Sequence, residues 1–174
     1  KIFITNAGYA KTIVLTAVTD KENRGISAFI VPTDTPGFST GKPYDKLGMR
    51  ASNTVEVILD NVRVPQENLL GPLNAGLKQF LHTLDGRRVS LAALAVGIAQ
   101  SAFDTALEYA KQRKQFGKTI SSYQAIQHKL ADMAMHLDLS RNAVMKAAWL
   151  HDHNRPFTLE ASYAKLFASE TCTR

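Results

Sequence analysis

The hydrophobic pattern changes its period once along this chain. Up to about residue 70 the apolar positions come in short β-branched or alternating runs, and beyond residue 73 they recur at helical spacing. Residues 12–19 (TIVLTAVT) have no helical period and predict a strand, as does the shorter run Ile2-Phe3-Ile4. Asp20 to Gly25 is a charged turn closed by glycine, and residues 26–31 predict the next strand, stopped by Pro32. Pro36-Gly37 marks another turn. Residues 54–59 (TVEVIL) alternate polar and apolar positions like one half-buried strand. Asp60-Asn61 turns the chain, and Val62-Arg63-Val64 continues it before Pro65.

Gly71-Pro72 marks a boundary, because proline suits a first helical turn and no other occurs before Pro156. From Leu73 to Gln112 the apolar positions Leu77, Phe80, Leu81, Leu84, Leu91, Leu94, Ile98, Ala102, Phe103, Ala106 and Tyr109 follow a helix. Taken as one element it has about 40 residues and is about 60 Å long, enough to span a bundle and reach a subunit interface. Gly86 and Gly97 lie inside it at a cost of about 1 kcal/mol each. Gly97, in a run of small residues, implies close helix packing. Gly86, between Asp85 and Arg87-Arg88, either lets a ligand approach the backbone or marks a kink. A second helix is expected from Ser121, where Ser121-Ser122-Tyr123-Gln124 fits a capping box, and runs to Trp149-Leu150. His151 to Pro156 reads as a connection, and Thr158 as the cap of a third helix through Ala161, Ala164, Leu166, Phe167 and Ala168. The expected class is therefore α+β: an antiparallel β-domain piece, residues 1–70, then an up-down helical bundle, residues 71–174. Three long helices make an incomplete four-helix bundle, whose open apolar face needs a fourth helix or a partner chain.

Composition narrows the class only a little. No apolar run approaches the roughly 18 residues of a membrane span, since the longest candidate, residues 89–99, is interrupted by Gly97. The strand-like opening carries no signal peptide and suggests a fragment. The single Cys172 excludes an internal disulfide and fits a reducing compartment. The five histidines lack the companions of a metal site. The net charge of +6 is uneven: residues 71–174 carry 13 Lys/Arg against 8 Asp/Glu. Such a surplus suits an anionic partner, phosphate or nucleic acid, but on charge alone a solvated helical surface is the preferred reading.

Residues 109–133 (YAKQRKQFGKTISSYQAIQHKLADM) concentrate the candidate chemistry, a basic joint between two long helices with Phe116 and Gly117 at its middle. By spacing alone, Lys111, Arg113 and Lys114 complement a helix C-terminus, Gln124 closes the capping box, and Phe116 packs the joint.

The segments KIFITNA (1–7), GISAFIV (25–31), KLGMRAS (46–52), VRVP (62–65), LDGRR (84–88), RKQFGK (113–118) and QAIQ (124–127), in this order and over nearly the whole chain, resemble the acyl-CoA dehydrogenases. The resemblance implies the end of a middle β domain and part of a C-terminal helical domain of a flavoprotein that desaturates acyl-CoA thioesters at the α,β bond. It implies FAD as cofactor, with Arg113 on the diphosphate, Gln115 and Phe116 beside it, and Gln124 also in contact. Part of the flavin site then belongs to a neighbouring subunit in a homodimer or homotetramer. Phe3 and Thr5 fall where the family sets an aromatic and a Thr against the flavin ring, Thr5 at its reactive N5 edge. Asp85 and Arg88 match contacts to the acyl-CoA; read without the family they are an i,i+3 surface ion pair. Most members carry the glutamate base downstream, so no catalytic residue is expected before Arg174. A few place it where this chain has Arg87, which stays protonated and cannot be a base. An electron-transfer flavoprotein is the implied acceptor, in the cytoplasm of a bacterium or the mitochondrial matrix of a eukaryote, and neither nucleic acid nor a membrane is an expected partner. An acyl-CoA oxidase, a non-enzymatic member of the fold and a basic helical nucleic-acid module are the alternatives.

Overall fold

A computed structural model of the chain describes residues 1–173. They form two units, residues 1–80 and the chain from residue 81 onward, of the α+β class. The first unit contains β1 (Ile4–Thr5), β2 (Thr12–Asp20), β3 (Gly25–Pro32), β4 (Phe38–Thr40), β5 (Thr54–Val55), β6 (Val57–Leu59) and β7 (Leu69–Leu70). Every named pairing is antiparallel: β1 with β5, β2 with β3, β3 with β7, and β4 with β6. The β2–β3 ladder runs from Thr12 opposite Pro32 to Asp20 opposite Gly25, with an irregularity between Val18 and Asp20. At its turn the Asp20 carboxylate accepts the Asn23 side-chain amide at 2.9 Å and the backbone N–H groups of Asn23 and Glu22 at 3.0 and 3.1 Å. Those bonds favour the charged form, the Asn23 side chain most, and hold the Asp20 carboxyl below its ordinary value. Ala7, Val55 and Val57 form a small core with Ile4, Ile13 and Phe38.

Three strand expectations are corrected here. Residues 54–59 form two strands, because Val55 pairs with Ile4 whereas Val57 pairs with Thr40, and between them the Glu56 carbonyl accepts the Gly41 N–H. Of Ile2-Phe3-Ile4 only Ile4 is in a ladder, since Phe3 turns the chain at φ 56°. Residues 62–64 join no ladder. They follow Asn61 at φ 50°, and after Pro65 a 3-10 turn, Gln66–Asn68, delivers β7 to β3 instead.

The second unit holds most of α1 (Gly76–Gln112), then β8 (Lys114–Gln115), β9 (Lys118–Thr119), α2 (Gln124–Asp152) and α3 (Thr158–Thr173). Its core joins Ala92 and Val96 of α1, Leu137, Val144 and Ala147 of α2, and Ala164 and Ala168 of α3, with Phe103 packed against them. The buried face of α3 consists of alanines, which leaves room for close approach to α2. Polar ties fix the register: Arg141 Nη2 donates to Gln100 Oε1 at 2.6 Å, and Ser140 Oγ to Thr171 Oγ1 at 3.2 Å.

A second apolar stripe on α1, Leu91, Leu94, Ile98 and Tyr109, is exposed, and so are Leu159, Tyr163 and Leu166 of α3. A cleft of about 440 Å³ opens between the three helices beside Phe103, Met133 and Leu137. Gly97 faces outward, and a Cβ there would meet nothing within 4 Å, so the close packing expected of it is not made among the described residues. Gly86 is equally unobstructed. The membrane expectation also needs correction: by length and composition alone, α1 is long and apolar enough to cross a bilayer. Its alanines, with Leu, Val and Ile, raise the hydropathy without forming one unbroken apolar run, and its most apolar stretch is only 11% buried. One such helix is weak grounds for a span, and α1 has a packed face in the three-helix core.

Candidate functional site

The joint after α1 is a β-hairpin. Lys114 lies opposite Thr119 and Gln115 opposite Lys118, which leaves Phe116 and Gly117 as a two-residue loop. Both have positive φ, 51° and 82°, as a type I′ turn requires to match the twist of its strands. Glycine adopts this conformation freely. Phenylalanine does so at about 1–2 kcal/mol, and its side chain gains little in return within the fold, being 92% exposed.

Four contacts hold the hairpin between the helices. The Arg113 N–H donates to the Tyr109 carbonyl at 2.8 Å, and the Ile120 N–H to the Arg113 carbonyl at 2.9 Å. The Tyr123 hydroxyl donates to the Gln115 carbonyl at 2.8 Å, and Lys118 Nζ lies 4.3 Å from the centre of the Tyr123 ring. A 3-10 turn, Ile120–Ser122, precedes α2, which starts at Gln124 with Tyr123 as N-cap and no side-chain cap bond. The expected capping box is therefore absent. The Ser122 hydroxyl turns back to the Thr119 carbonyl, and the Ser121 carbonyl is taken by Gln127 Nε2. Gln124 is exposed at the first position of the helix.

Arg113, Lys114 and Lys118 thus stand exposed between the C-terminus of α1 and the N-terminus of α2. Lys111 pairs with Glu108 at 2.9 Å, whereas Arg113 makes no ion pair with another described residue. A guanidinium left free in this way presents a rigid fork of donors to phosphate oxygens, and the start of a 29-residue helix adds positive potential beside it. This donor set fits a diphosphate such as that of FAD.

Asp85 and Arg88 form a separate cluster. Asp85 is only 8% exposed and both its oxygens are engaged, Oδ1 by Arg88 Nη1 at 2.7 Å and Oδ2 by the Thr158 hydroxyl at 2.6 Å. Thr158 is therefore the first residue of α3 tied to α1, not the simple cap expected of it. In the first unit, Phe3 is 66% exposed with its ring 5.0 Å from that of Tyr44, and Thr5 lies opposite Thr54 in the β1–β5 pair. Among the described residues no group of three or more His, Cys, Asp or Glu could hold a metal.

The structure therefore gathers Arg113, Gln115, Phe116 and Gln124 on one joint and pairs Asp85 with Arg88. Tyr123, Thr158 and Ser162 were not picked out for these roles by sequence reasoning. No local signal could have revealed a bond between residues as far apart in sequence as Thr158 and Asp85.

The profile described as acyl-CoA dehydrogenase, C-terminal domain, matches residues 74–174, and that described as acyl-CoA dehydrogenase, middle domain, matches residues 1–62. A probable acyl-CoA dehydrogenase of Bacillus subtilis is 66% identical over 100% of this chain and 47% of its own length. Butyryl-CoA dehydrogenase from Megasphaera elsdenii is similar in structure, with a TM-score of 0.90 at 48% identity over 98% of this chain and 45% of that one. An FAD complex of PigA aligns with a TM-score of 0.91 at 32% identity, over 98% of this chain and 45% of its own. The chain spans about half the length of the curated relatives it matches.

Proposed function

The chain belongs to the acyl-CoA dehydrogenase family, and from that premise we propose that it is part of an FAD-dependent enzyme that desaturates an acyl-CoA thioester at its α,β bond. The observation that carries this reading is the hairpin joint, where an exposed Arg113 with no ion-pair partner among the described residues stands beside the first turn of α2. The FAD complex of PigA, a structural relative, supports the cofactor. Another relative, butyryl-CoA dehydrogenase, makes a short acyl chain the first substrate to try.

In this proposal Arg113 grips the diphosphate of FAD, Gln124 adds an amide contact, and Gln115 and Phe116 flank it. Phe3 covers the flavin ring with an apolar face, and Thr5 hydrogen-bonds its N5 edge. Arg88, held by Asp85, contacts the acyl-CoA. Bound FAD would supply the acceptor for the hydride leaving the β carbon. This chain's part is to bind and orient, since Arg87 stays protonated and the α proton is assigned to a base outside residues 1–174. Residues 1–70 serve as part of the middle domain and 71–174 as part of the C-terminal helical domain. The exposed stripes of α1 and α3 suit a homodimer or homotetramer that shares flavin sites between subunits. An electron-transfer flavoprotein takes the electrons, in the bacterial cytoplasm or the mitochondrial matrix.

The test is anaerobic addition of butyryl-CoA to the purified full-length protein. Bleaching of the flavin absorbance supports the proposal, and slow reoxidation by oxygen separates a dehydrogenase from an oxidase. A flavin-free protein that binds DNA would overturn it.

A further inference from the structure

The start of α3 is wired into α1 through a chain of hydrogen bonds. Thr158 Oγ1 donates to Asp85 Oδ2 at 2.6 Å, and Arg88 Nη1 donates to Asp85 Oδ1 at 2.7 Å. Ser162 Oγ gives its own hydrogen to the Thr158 carbonyl at 2.8 Å. That leaves Ser162 Oγ as an acceptor, and Arg88 Nη1 lies 3.4 Å from it. No hydrogen bond engages Arg88 Nε or Nη2 among the described residues, and the side chain remains 39% exposed.

We infer that Thr158 and Ser162 are positioning residues that set the direction of the Arg88 guanidinium toward the acyl-CoA. This rests on the reading of Arg88 as a substrate contact. An i,i+3 ion pair on one helix is weak, and both of its side chains can swing. The carboxylate here cannot swing, because it is buried and Thr158 holds its second oxygen. Its first oxygen and Ser162 then flank Nη1, so a planar guanidinium with one nitrogen fixed must aim its remaining donors outward. Buried carboxylates need such partners in any case. What α3 adds is the choice of direction, made from a helix that does not itself carry Arg88.

The experiment uses the full-length, FAD-loaded enzyme. Thr158→Val keeps the β-branched shape and removes the donor. It should raise KM for butyryl-CoA about ten-fold while kcat stays within about two-fold, since the lost interaction orients a binding group. FAD content should not change, and Thr158→Ser should restore KM. Arg88→Gln should raise KM by itself, and adding Thr158→Val to it should cause no further rise. An unchanged KM in Thr158→Val beside a raised KM in Arg88→Gln overturns the inference and leaves the proposed function standing. An unchanged KM in Arg88→Gln removes the substrate role of Arg88, and the inference falls with it. Should Thr158→Val fail to fold or to load FAD, Ser162→Ala removes only the 3.4 Å contact. A rise in KM of about three-fold is then expected, and no change overturns the inference.

Discussion

Replacing Phe116 by Asn should make the fold more stable and the cofactor site weaker. Phe116 sits at φ 51° with its ring 92% exposed, so the described fold would lose almost no burial with it. Residues with a Cβ give up about 1–2 kcal/mol in the left-handed region, and Asn, whose short polar side chain bonds locally, gives up less. Asn-Gly is also the pair that a two-residue type I′ hairpin favours, and Gly117 already supplies the second half. A gain of about 1 kcal/mol follows, which in a chain of this size raises Tm by about 2–4 °C. Against the cofactor, a ring that covers about 40–80 Å² of apolar surface contributes about 1–2 kcal/mol. Losing it weakens FAD binding about five- to thirty-fold. Thermal unfolding of the chain and FAD titration of the full-length apoprotein measure the two effects separately. A higher Tm with unchanged FAD affinity would refute the cofactor role of Phe116, and an unchanged or lower Tm would refute the conformational argument.

Three further outcomes are expected. Asp85→Ala removes a nearly buried carboxylate that accepts two hydrogen bonds, leaving the Thr158 hydroxyl without its acceptor and stranding Arg88. Because Arg88 is partly solvated, the loss should be about 2 kcal/mol in urea unfolding, less than for a fully buried pair; a change near zero contradicts the bonding described. Gly97→Ala should stabilise the 174-residue chain by about 1 kcal/mol, since a Cβ there meets nothing within 4 Å. Destabilisation instead would show that another helix packs on that face. Asp20 has a folded pKa below its ordinary 3.8, so its contribution is complete above that value and is lost as pH falls through the lower, folded one. NMR shifts of the Glu22 and Asn23 amides should show a midpoint below 3.8, and one at or above it contradicts the turn geometry.

Period and residue type were enough to reveal the long elements. The β-branched run in β2 and the apolar run in β3 have their partner next in sequence, so local pattern and pairing agree. The two-residue strands were not legible: whether Val55 and Val57 share a strand depends on Ile4 and Thr40, which no local pattern encodes. The β8–β9 hairpin was missed because Phe-Gly lacks the usual asparagine of a type I′ turn, so the segment read only as a basic joint. At the start of α2, Ser and Gln at capping-box spacing were misleading, because a 3-10 turn takes up the serines before the helix begins at Gln124. The candidate site was legible through the family resemblance and not through spacing, since by spacing Arg113 does no more than Lys111, a cation at a helix end. What separates them is Glu108, which holds Lys111 at 2.9 Å and leaves Arg113 without an ion-pair partner among the described residues.

That difference gives the most direct test of the hairpin joint as a cofactor site. FAD should be titrated into full-length apoprotein carrying Arg113→Ala and, as the control, Lys111→Ala. Arg113→Ala should weaken FAD binding by at least about ten-fold, in line with the loss of a charge-assisted contact to phosphate, while Lys111→Ala leaves it nearly unchanged. Equal affinities in the two variants would mean that Arg113 is only another charge at the end of a helix, and the assignment of the joint to FAD would be wrong.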